Sequence, residues 1–145
     1  MKKTFDCLKH DCLFDSLIQG KLPTRFLRWC ASYLQSRYQY TSIEQAFRSA
    51  TTAVTSGVPQ GSVIAPFLFA VHMGSLQPYL PSTSMTKYAD DIVCAIPVLD
   101  YADITNIISS EINNVNDWCQ SHGLQLNIEK TKLMIPSKTK IPLYL

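Results

Sequence analysis

The stretch Tyr88-Ala89-Asp90-Asp91 limits the possible fold more than any other part of this sequence. Its flanks, Met85–Lys87 and Ile92–Ile96, are too short for helices and rich enough in β-forming residues to be strands. The two aspartates are therefore expected in or beside a tight turn. Adjacent carboxylates repel each other, and their hard oxygen atoms are suitable ligands for Mg²⁺ or Mn²⁺. An ordinary polar hairpin turn on the surface fits the same four residues, so other motifs must decide.

The composition is that of a globular chain with reduced thiols. The 145 residues are 46% hydrophobic and 17% charged, which is enough for one domain with a core. A net charge of +2 and a pI near 8.3 permit a nucleic-acid partner without requiring one. Five scattered cysteines with no metal-type spacing predict an intracellular protein, in the cytoplasm or the nucleus. We predict no membrane partner, because there is no secretory signal and no apolar run of spanning length.

Hydrophobic periodicity predicts helices and strands mixed within a single domain, residues 1–145. Helical spacing of apolar residues covers Asp11–Gln19, Pro23–Gln35, Ser62–Gln77 and Asp100–Ser121. Strands are predicted at Arg37–Ile43, Ala50–Thr55, both flanks of the acidic turn and Leu124–Ile128, with Thr131–Ile135 as a further candidate. The tail, residues 136–145, shows no clear element. Mixed strands with helices packed on one face indicate an α+β fold.

The loop Ser56–Gly61 is the second informative stretch. Its glycines allow a backbone to approach a ligand closely, and the helix predicted directly after it favours anions such as phosphate at its N-terminus. A plain loop that turns into a buried helix fits these residues equally well. Together with the acidic pair, however, the loop indicates phosphoryl transfer, in which metals held by carboxylates bridge the attacking and leaving oxygens.

Several stretches occur in an order that is typical of one polymerase family. Ser56–Val63, Pro66–Phe69 and Tyr88–Asp91 resemble palm motifs of the reverse transcriptases of non-LTR (LINE-type, jockey-like) retrotransposons. Phe5 and Asp6, with Leu8, His10 and Leu13, are similar to the segment just after that family's first catalytic aspartate. Further along the chain, the family's next motif is similar to three stretches of this sequence: Trp118, Gly123–Asn127 and Glu129–Lys132. The resemblance covers roughly residues 4 to 135.

This resemblance implies an RNA-directed DNA polymerase. The expected fold is a palm-like antiparallel sheet backed by helices, of the split βαβ type. The expected reaction is two-metal nucleotidyl transfer with Mg²⁺ (or Mn²⁺), and the expected partners are an RNA template, a DNA primer and a deoxynucleotide triphosphate. By the same resemblance Asp90 coordinates both metals, Asp91 supports the metal site, and Tyr88 lies beside the primer terminus. An ordinary strand aromatic is the rival interpretation of Tyr88.

The resemblance also assigns residues to the nucleotide. Gln60 and Gly61 border the incoming nucleotide and the template, and the ring of Phe5 checks the sugar for a 2′-hydroxyl. Either Lys130 or Lys132 is the basic residue near the phosphates. Phe5 as a core residue and the two lysines as solvated surface groups are the rival interpretations.

Departures from the family pattern limit the expected activity. The first catalytic aspartate of the family would fall one position before Met1, and neither full fingers nor a thumb is recognised in the chain. We therefore expect an incomplete domain that is inactive as an isolated chain. We also expect the acidic hairpin to lack a partner strand and to promote aggregation. The alternative function is a catalytically dead palm remnant that only binds nucleic acid or nucleotide. A nuclease is a weaker alternative, since it has no use for a nucleotide-facing loop.

Overall fold

The computed structural model describes residues 4–43, 47–97 and 103–135, which fall into two units. The N-terminal unit ends at Ser75 and the C-terminal unit begins at Leu76. The organisation of residues 1–145 as a single domain stays a prediction.

Helices form most of the N-terminal unit: α1 (Thr4–Cys7), α2 (His10–Gln19), α3 (Thr24–Leu34) and α4 (Ala65–Gly74). Helix α2 packs against both α3 and α4. Helical spacing places Leu13 and Leu17 on one buried face of α2. The buried apolar side chains of this unit are Leu8, Leu13, Leu17, Cys30, Leu34, Val58, Ala65, Leu68, Phe69 and Met73. The predicted helix at Asp11–Gln19 is confirmed to within one residue.

Local chemistry sets the starts of α3 and α4. Pro23 precedes α3, and its carbonyl accepts hydrogen bonds from the first turn of the helix. The hydroxyl of Ser62 accepts a hydrogen bond from the Ala65 N–H (3.2 Å), and Pro66 lies in the first turn of α4. Helix α4 is shorter than the predicted Ser62–Gln77 at both ends, because Ser62 to Ile64 lie outside the helix and it ends at Gly74.

A broken hairpin follows α3. It consists of β1 (Tyr38–Gln39), β2 (Ser42–Ile43), β3 (Phe47–Arg48) and β4 (Thr52–Ala53), with β1 antiparallel to β4 and β2 antiparallel to β3. The predicted strand at Arg37–Ile43 is thus interrupted. At the break the Ser49 hydroxyl, rather than a backbone carbonyl, accepts the Thr41 N–H (2.9 Å). All eight strand residues are exposed.

The C-terminal unit contains one hairpin and one long helix. Strands β5 (Ser84–Tyr88) and β6 (Asp91–Ala95) are antiparallel, in a register that pairs Tyr88 with Asp91. Helix α5 runs over Ile104–Ser121 and ends before Gly123, which has φ 77°. The predicted hairpin around the acidic pair and the predicted helix are confirmed, although the predicted helix start at Asp100 lies outside the described residues. The buried apolar residues are Leu76, Ile104, Ile108, Val115, Cys119 and Leu124.

The strands predicted after α5 are wrong. Residues 124–127 are irregular, Ile128–Lys130 form a 3₁₀ turn, and residues 131–135 have no regular structure. The N–H and the hydroxyl of Thr131 both donate to the Asn127 carbonyl (3.0 and 2.9 Å). These local hydrogen bonds close a turn where a strand would need a neighbouring strand.

Helices and small antiparallel sheets thus coexist, as the α+β class requires. The described residues form three separate two-stranded sheets rather than one larger sheet. None of the helices in this part of the chain is long and apolar enough to cross a membrane. All five cysteines carry free thiols.

Candidate functional site

The backbone of the loop Ser56–Gly61 is fastened to the start of the chain. The Gly57 N–H donates to the Leu8 carbonyl (2.7 Å), and the Val58 N–H donates to the Phe5 carbonyl (2.8 Å). The hydroxyl of Ser56 donates to the carbonyl of Asp6 (3.0 Å). The loop conformation is therefore set by backbone groups that lie about fifty residues earlier in the sequence.

Gly57 fits this position because it has no side chain. Its φ is +80°, and a Cβ placed there would lie 2.7–2.8 Å from backbone atoms of Phe5 and Asp6. Gly61 has a similar φ of +79°, but no atom lies within 4 Å of the position that its Cβ would occupy. The first glycine is needed for packing, whereas the second leaves an exposed stretch of backbone that a ligand can approach.

Two side chains that the sequence analysis did not assign to the site, those of Asp6 and His10, contact this loop. The Gln60 amide nitrogen Nε2 donates to the Asp6 carboxylate oxygen Oδ1 (2.7 Å). Nε2 of His10 lies 2.8 Å from the Gly57 carbonyl oxygen, so that nitrogen carries the proton. No local sequence pattern could have revealed these contacts, because the partners are 54 and 47 residues apart.

Phe5 is half-buried, and its ring lies against Phe69 with centroids 4.6 Å apart and an interplanar angle of 30°. Phe69 is part of the core, so the ring of Phe5 packs against the core. The Phe5 carbonyl meanwhile accepts the Val58 N–H and so holds the loop. The structure thus brings together Phe5 and Gln60, two of the residues that the resemblance assigns to the nucleotide.

The acidic turn lies at the tip of the β5–β6 hairpin, in the C-terminal unit. Ala89 and Asp90 form the turn, and Tyr88 and Asp91 are the last paired residues of the two strands. Side chains alternate between half-buried and exposed, so Tyr88 and Asp91 share the exposed face, and Tyr88 is 82% exposed. Ala89 has φ 50°, a conformation that costs a non-glycine residue about 1–2 kcal/mol. Strain of this kind is often found at functional sites.

The opposite face of the hairpin carries Lys87 and Cys94. The Lys87 ammonium donates to the Leu76 carbonyl, and partial burial lowers the pKa of Lys87. Burial raises the pKa of the Cys94 thiol, and the Glu111 carboxylate raises it further, while the positive charge of Lys87 opposes this shift. The Cys94 thiol is therefore poorly suited to be a nucleophile.

Glu111 is a buried carboxylate that sequence reasoning missed. It lies on α5 and accepts hydrogen bonds from the Tyr79 N–H (2.9 Å), the Leu80 N–H (3.4 Å) and the Thr83 hydroxyl (3.1 Å). These bonds tie the segment before β5 to α5. The signal was present in the sequence, since Glu111 falls at the same helical spacing as the buried residues Ile104, Ile108, Val115 and Cys119.

Lys130 and Lys132 are both exposed, Lys130 at the end of the 3₁₀ turn and Lys132 just after it. Their surroundings do not favour either one. Among residues 4–43, 47–97 and 103–135, no group of three or more His, Cys, Asp or Glu side chains is arranged to hold a metal ion. Asp90 and Asp91 supply carboxylate oxygens, the donor type that Mg²⁺ prefers, but only two such groups.

The sequence matches one known polymerase family. A family model described as reverse transcriptase (RNA-dependent DNA polymerase) matches residues 1–143, and the chain belongs to this family. The chain is 24% identical over 139 residues to the "RNA-directed DNA polymerase from mobile element jockey" of Drosophila melanogaster. It is 27% identical over 142 residues to the "Probable RNA-directed DNA polymerase from transposon BS" of the same organism.

Each alignment covers 90% of this chain and 15% of the relative, so the chain spans about 15% of the length of these proteins. No solved structure matches the chain. The resemblance to the reverse transcriptases of non-LTR retrotransposons is confirmed.

Proposed function

We propose that this chain is part of the palm of a retrotransposon reverse transcriptase and contributes to RNA-templated DNA synthesis. The observation that carries the proposal is the tight turn at the tip of the β5–β6 hairpin, which contains Asp90 and is followed directly by Asp91, the first residue of β6. Family membership gives this turn its chemical meaning, since adjacent carboxylates alone also suit an ordinary surface turn.

In the proposed reaction, the 3′-hydroxyl oxygen of a DNA primer bonds to the α-phosphorus of a deoxynucleotide triphosphate. The bond from that phosphorus to the bridging oxygen breaks, pyrophosphate leaves, and the hydroxyl proton is lost to solvent. Asp90 and Asp91 would hold Mg²⁺ or Mn²⁺, which when bound neutralises the charge that develops on the phosphate oxygens. The exposed ring of Tyr88, on the same face as Asp91, would contact the primer terminus.

The N-terminal unit would serve the incoming nucleotide. Gly61 presents open backbone to it, and Gln60, held by Asp6, supplies a positioned amide. The ring of Phe5, backed by Phe69, would restrict the space beside the sugar 2′-position. A basic group for the phosphates would come from Lys130 or Lys132, both of which are exposed.

Metal binding tests the role of the acidic turn directly. We expect the chain to bind Mn²⁺ weakly, and Asp90→Asn to reduce that affinity at least about tenfold, because one of two adjacent carboxylates is lost. Electron paramagnetic resonance of free Mn²⁺ during a titration gives the affinity. Asp15→Asn is the matched control, since it removes one exposed carboxylate from α2. Equal affinities of the Asp90→Asn and Asp15→Asn variants would contradict the proposal.

Binding without synthesis is the second candidate function. The described residues offer two carboxylates at the turn and no larger cluster of metal ligands, and two-metal catalysis needs more ligands than that. We therefore expect the isolated 145-residue chain to give little or no extension of a DNA primer on an RNA template with Mg²⁺ and deoxynucleotides. Robust extension that Asp90→Ala abolishes would show that the chain is a polymerase by itself.

A further inference from the structure

Lys87 is a charged residue on the inner face of the β5–β6 hairpin, where its neighbours are apolar. Side chains alternate along both strands, and the half-buried positions are Met85, Lys87, Ile92 and Cys94. Partial burial of an ammonium group costs desolvation, and burial lowers the pKa of Lys87. An apolar side chain would cover this face at a smaller cost. The position of Lys87 therefore indicates a role other than packing.

The Lys87 ammonium reaches back from the tip of the hairpin. It donates to the carbonyl of Leu76, a buried residue at the start of residues 76–83, the segment before β5. In the strand register Lys87 pairs with Ile92, and the next pair, Tyr88 with Asp91, closes the turn. The contact with Leu76 thus lies one residue pair away from the acidic turn.

The segment before β5 is itself fixed to α5. The Asn114 amide nitrogen Nδ2 donates to the Gln77 carbonyl (2.9 Å). The Glu111 carboxylate accepts two backbone N–H groups of the segment and the hydroxyl of Thr83, the residue directly before β5. Strand β5 is therefore held at its first end by Glu111 and near its second end by Lys87.

The hairpin needs such links to hold its tip in one place. A two-stranded hairpin has little stability of its own, and within the described residues β5 and β6 pair only with each other. Metal-binding side chains must be held to within about 0.5 Å of their working geometry. The contact between Lys87 and Leu76 restrains the hairpin close to the turn, where Glu111 does not reach.

We propose that Lys87 is a positioning residue for the acidic turn. Its ammonium fixes the tip of the hairpin to the segment before β5, which α5 holds through Glu111 and Asn114. The geometry of Asp90 and Asp91 then depends on a side chain that binds no metal itself. This role rests on the proposed function, in which the two aspartates hold the metal.

The charge and the hydrogen bond of Lys87 have opposite effects on metal binding, so one substitution separates them. The positive charge repels a bound cation, and its loss alone would raise the affinity for Mn²⁺. Loss of the contact with Leu76 frees the turn and lowers that affinity. Lys87→Met removes both the charge and the donor but keeps an unbranched stem on the inner face. A fall in affinity therefore means that positioning outweighs charge.

Electron paramagnetic resonance of free Mn²⁺ measures the affinity of each variant, and circular dichroism shows whether it is folded. We expect Lys87→Met to lower the affinity about tenfold, as is usual when a residue that orients a metal ligand is lost. Lys87→Arg keeps a charged N–H donor and should retain most of the affinity. Lys21→Met, the matched control, removes the same charge from an exposed position in the N-terminal unit and should change nothing.

A second measurement needs no metal. The heteronuclear ¹H–¹⁵N Overhauser effect of the Asp90 and Asp91 amides reports motion of the turn on the picosecond to nanosecond timescale. We expect lower values in Lys87→Met than in the wild-type chain and unchanged values in Lys87→Arg. A wild-type chain that binds no Mn²⁺ would contradict the proposed function, whereas these amide values would still decide the role of Lys87.

Asn114→Ala tests whether α5 takes part in the positioning. It should lower the Mn²⁺ affinity by a smaller factor than Lys87→Met, because Glu111 still holds the segment. Combined with Lys87→Met it should cause no further loss, since the hairpin is then already separated from the segment. Asn113→Ala, at the neighbouring exposed position of α5, is the control and should leave the affinity unchanged.

Three results would overturn the proposal. One is unchanged amide values of Asp90 and Asp91 in folded Lys87→Met. Another is an Mn²⁺ affinity that stays the same or rises in Lys87→Met while Asp90→Asn lowers it. The third is an equal loss in Lys87→Met and Lys87→Arg, which would mean that the donated hydrogen bond is not responsible.

Discussion

Gly57 and Gly61 have nearly the same backbone conformation but different surroundings. Replacing each with alanine therefore separates the cost of an unfavourable φ from the cost of a steric clash. Gly57→Ala forces a Cβ to within 2.8 Å of the Phe5 and Asp6 backbone, whereas Gly61→Ala meets open space. We expect Gly57→Ala to lower the free energy of unfolding by about 2–4 kcal/mol and Gly61→Ala by only about 1 kcal/mol. Urea denaturation followed by circular dichroism measures both. Similar losses in the two variants would show that the contact with Phe5 and Asp6 is not tight.

The buried carboxylate of Glu111 has a structural role, and we expect the stability of the fold to depend on its charge. Glu111→Gln keeps one acceptor oxygen but replaces the other with an NH2 group, which cannot accept a hydrogen bond and so leaves at least one of the three donors without its acceptor. We expect a loss of about 2–3 kcal/mol in the free energy of unfolding, because hydrogen bonds to a charged group are lost in a buried place. Glu129→Gln, at an exposed position, should change it by less than about 0.5 kcal/mol. Urea denaturation of the two variants decides whether burial of the carboxylate matters.

The site residues show which features a sequence can reveal. The glycines of the loop and the acidic pair were recognised because their special backbone or charge stands out locally. The contacts of Asp6 and His10 with the loop were not predictable, because they depend on the meeting of segments about fifty residues apart. The assignment of Phe5, Gln60, Gly61, Tyr88, Asp90, Asp91, Lys130 and Lys132 to catalysis and binding stays a prediction.

At the scale of elements, periodicity was informative where a segment satisfies its own hydrogen bonds or pairs with a close neighbour. Helix α2 and the β5–β6 hairpin meet this condition and were predicted well. Leu124–Ile128 does not meet this condition. Its alternation of apolar and polar residues would need a distant partner strand, and the Asn127–Thr131 turn forms instead. At the break in the first hairpin the Ser49 hydroxyl accepts the Thr41 N–H, and strand patterns do not report such a detail.

The β5–β6 hairpin also has an exposed edge. Within the described residues each of its strands pairs with the other alone, and Val93 on the outer face is 63% exposed. We expect Val93→Lys to reduce aggregation of the chain, because a charge on a strand at the edge opposes pairing between molecules. Static light scattering at matched concentrations measures this. Ile92→Lys, on the half-buried face, should instead destabilise the fold, and unchanged scattering in Val93→Lys would argue against aggregation through this hairpin.

The molecule as a whole should lose stability at alkaline pH. Burial raises the pKa of Cys30, Cys94 and Cys119 in the folded chain. Thiols in the unfolded chain ionise from about pH 8.5, while the folded thiols stay protonated. The folded state then binds more protons than the unfolded state, so the free energy of unfolding falls as pH rises through this range. The lowered pKa of Lys87 acts in the opposite direction, but one lysine opposes three thiols.

Urea denaturation at about pH 7.5 and about pH 9.5 measures this effect, since the unfolded thiol pKa lies between these values. The urea midpoint should be lower at the higher pH. Cys119→Ala should reduce the difference, because the variant lacks one of the three thiols. A midpoint that does not change with pH would contradict the proposed effect of burial on the thiols.

The hydrogen bonds between the loop and residues 5–10 also set an order of events during biosynthesis. A ribosome adds about 5–20 residues per second, so the fifty residues between these segments take roughly 3–10 s to make. During that interval the carbonyls of Phe5 and Leu8 have been synthesised, but Gly57 and Val58, which donate to them, have not. The N-terminal unit therefore cannot complete its fold until the loop has been synthesised, seconds after the segments of its first helices.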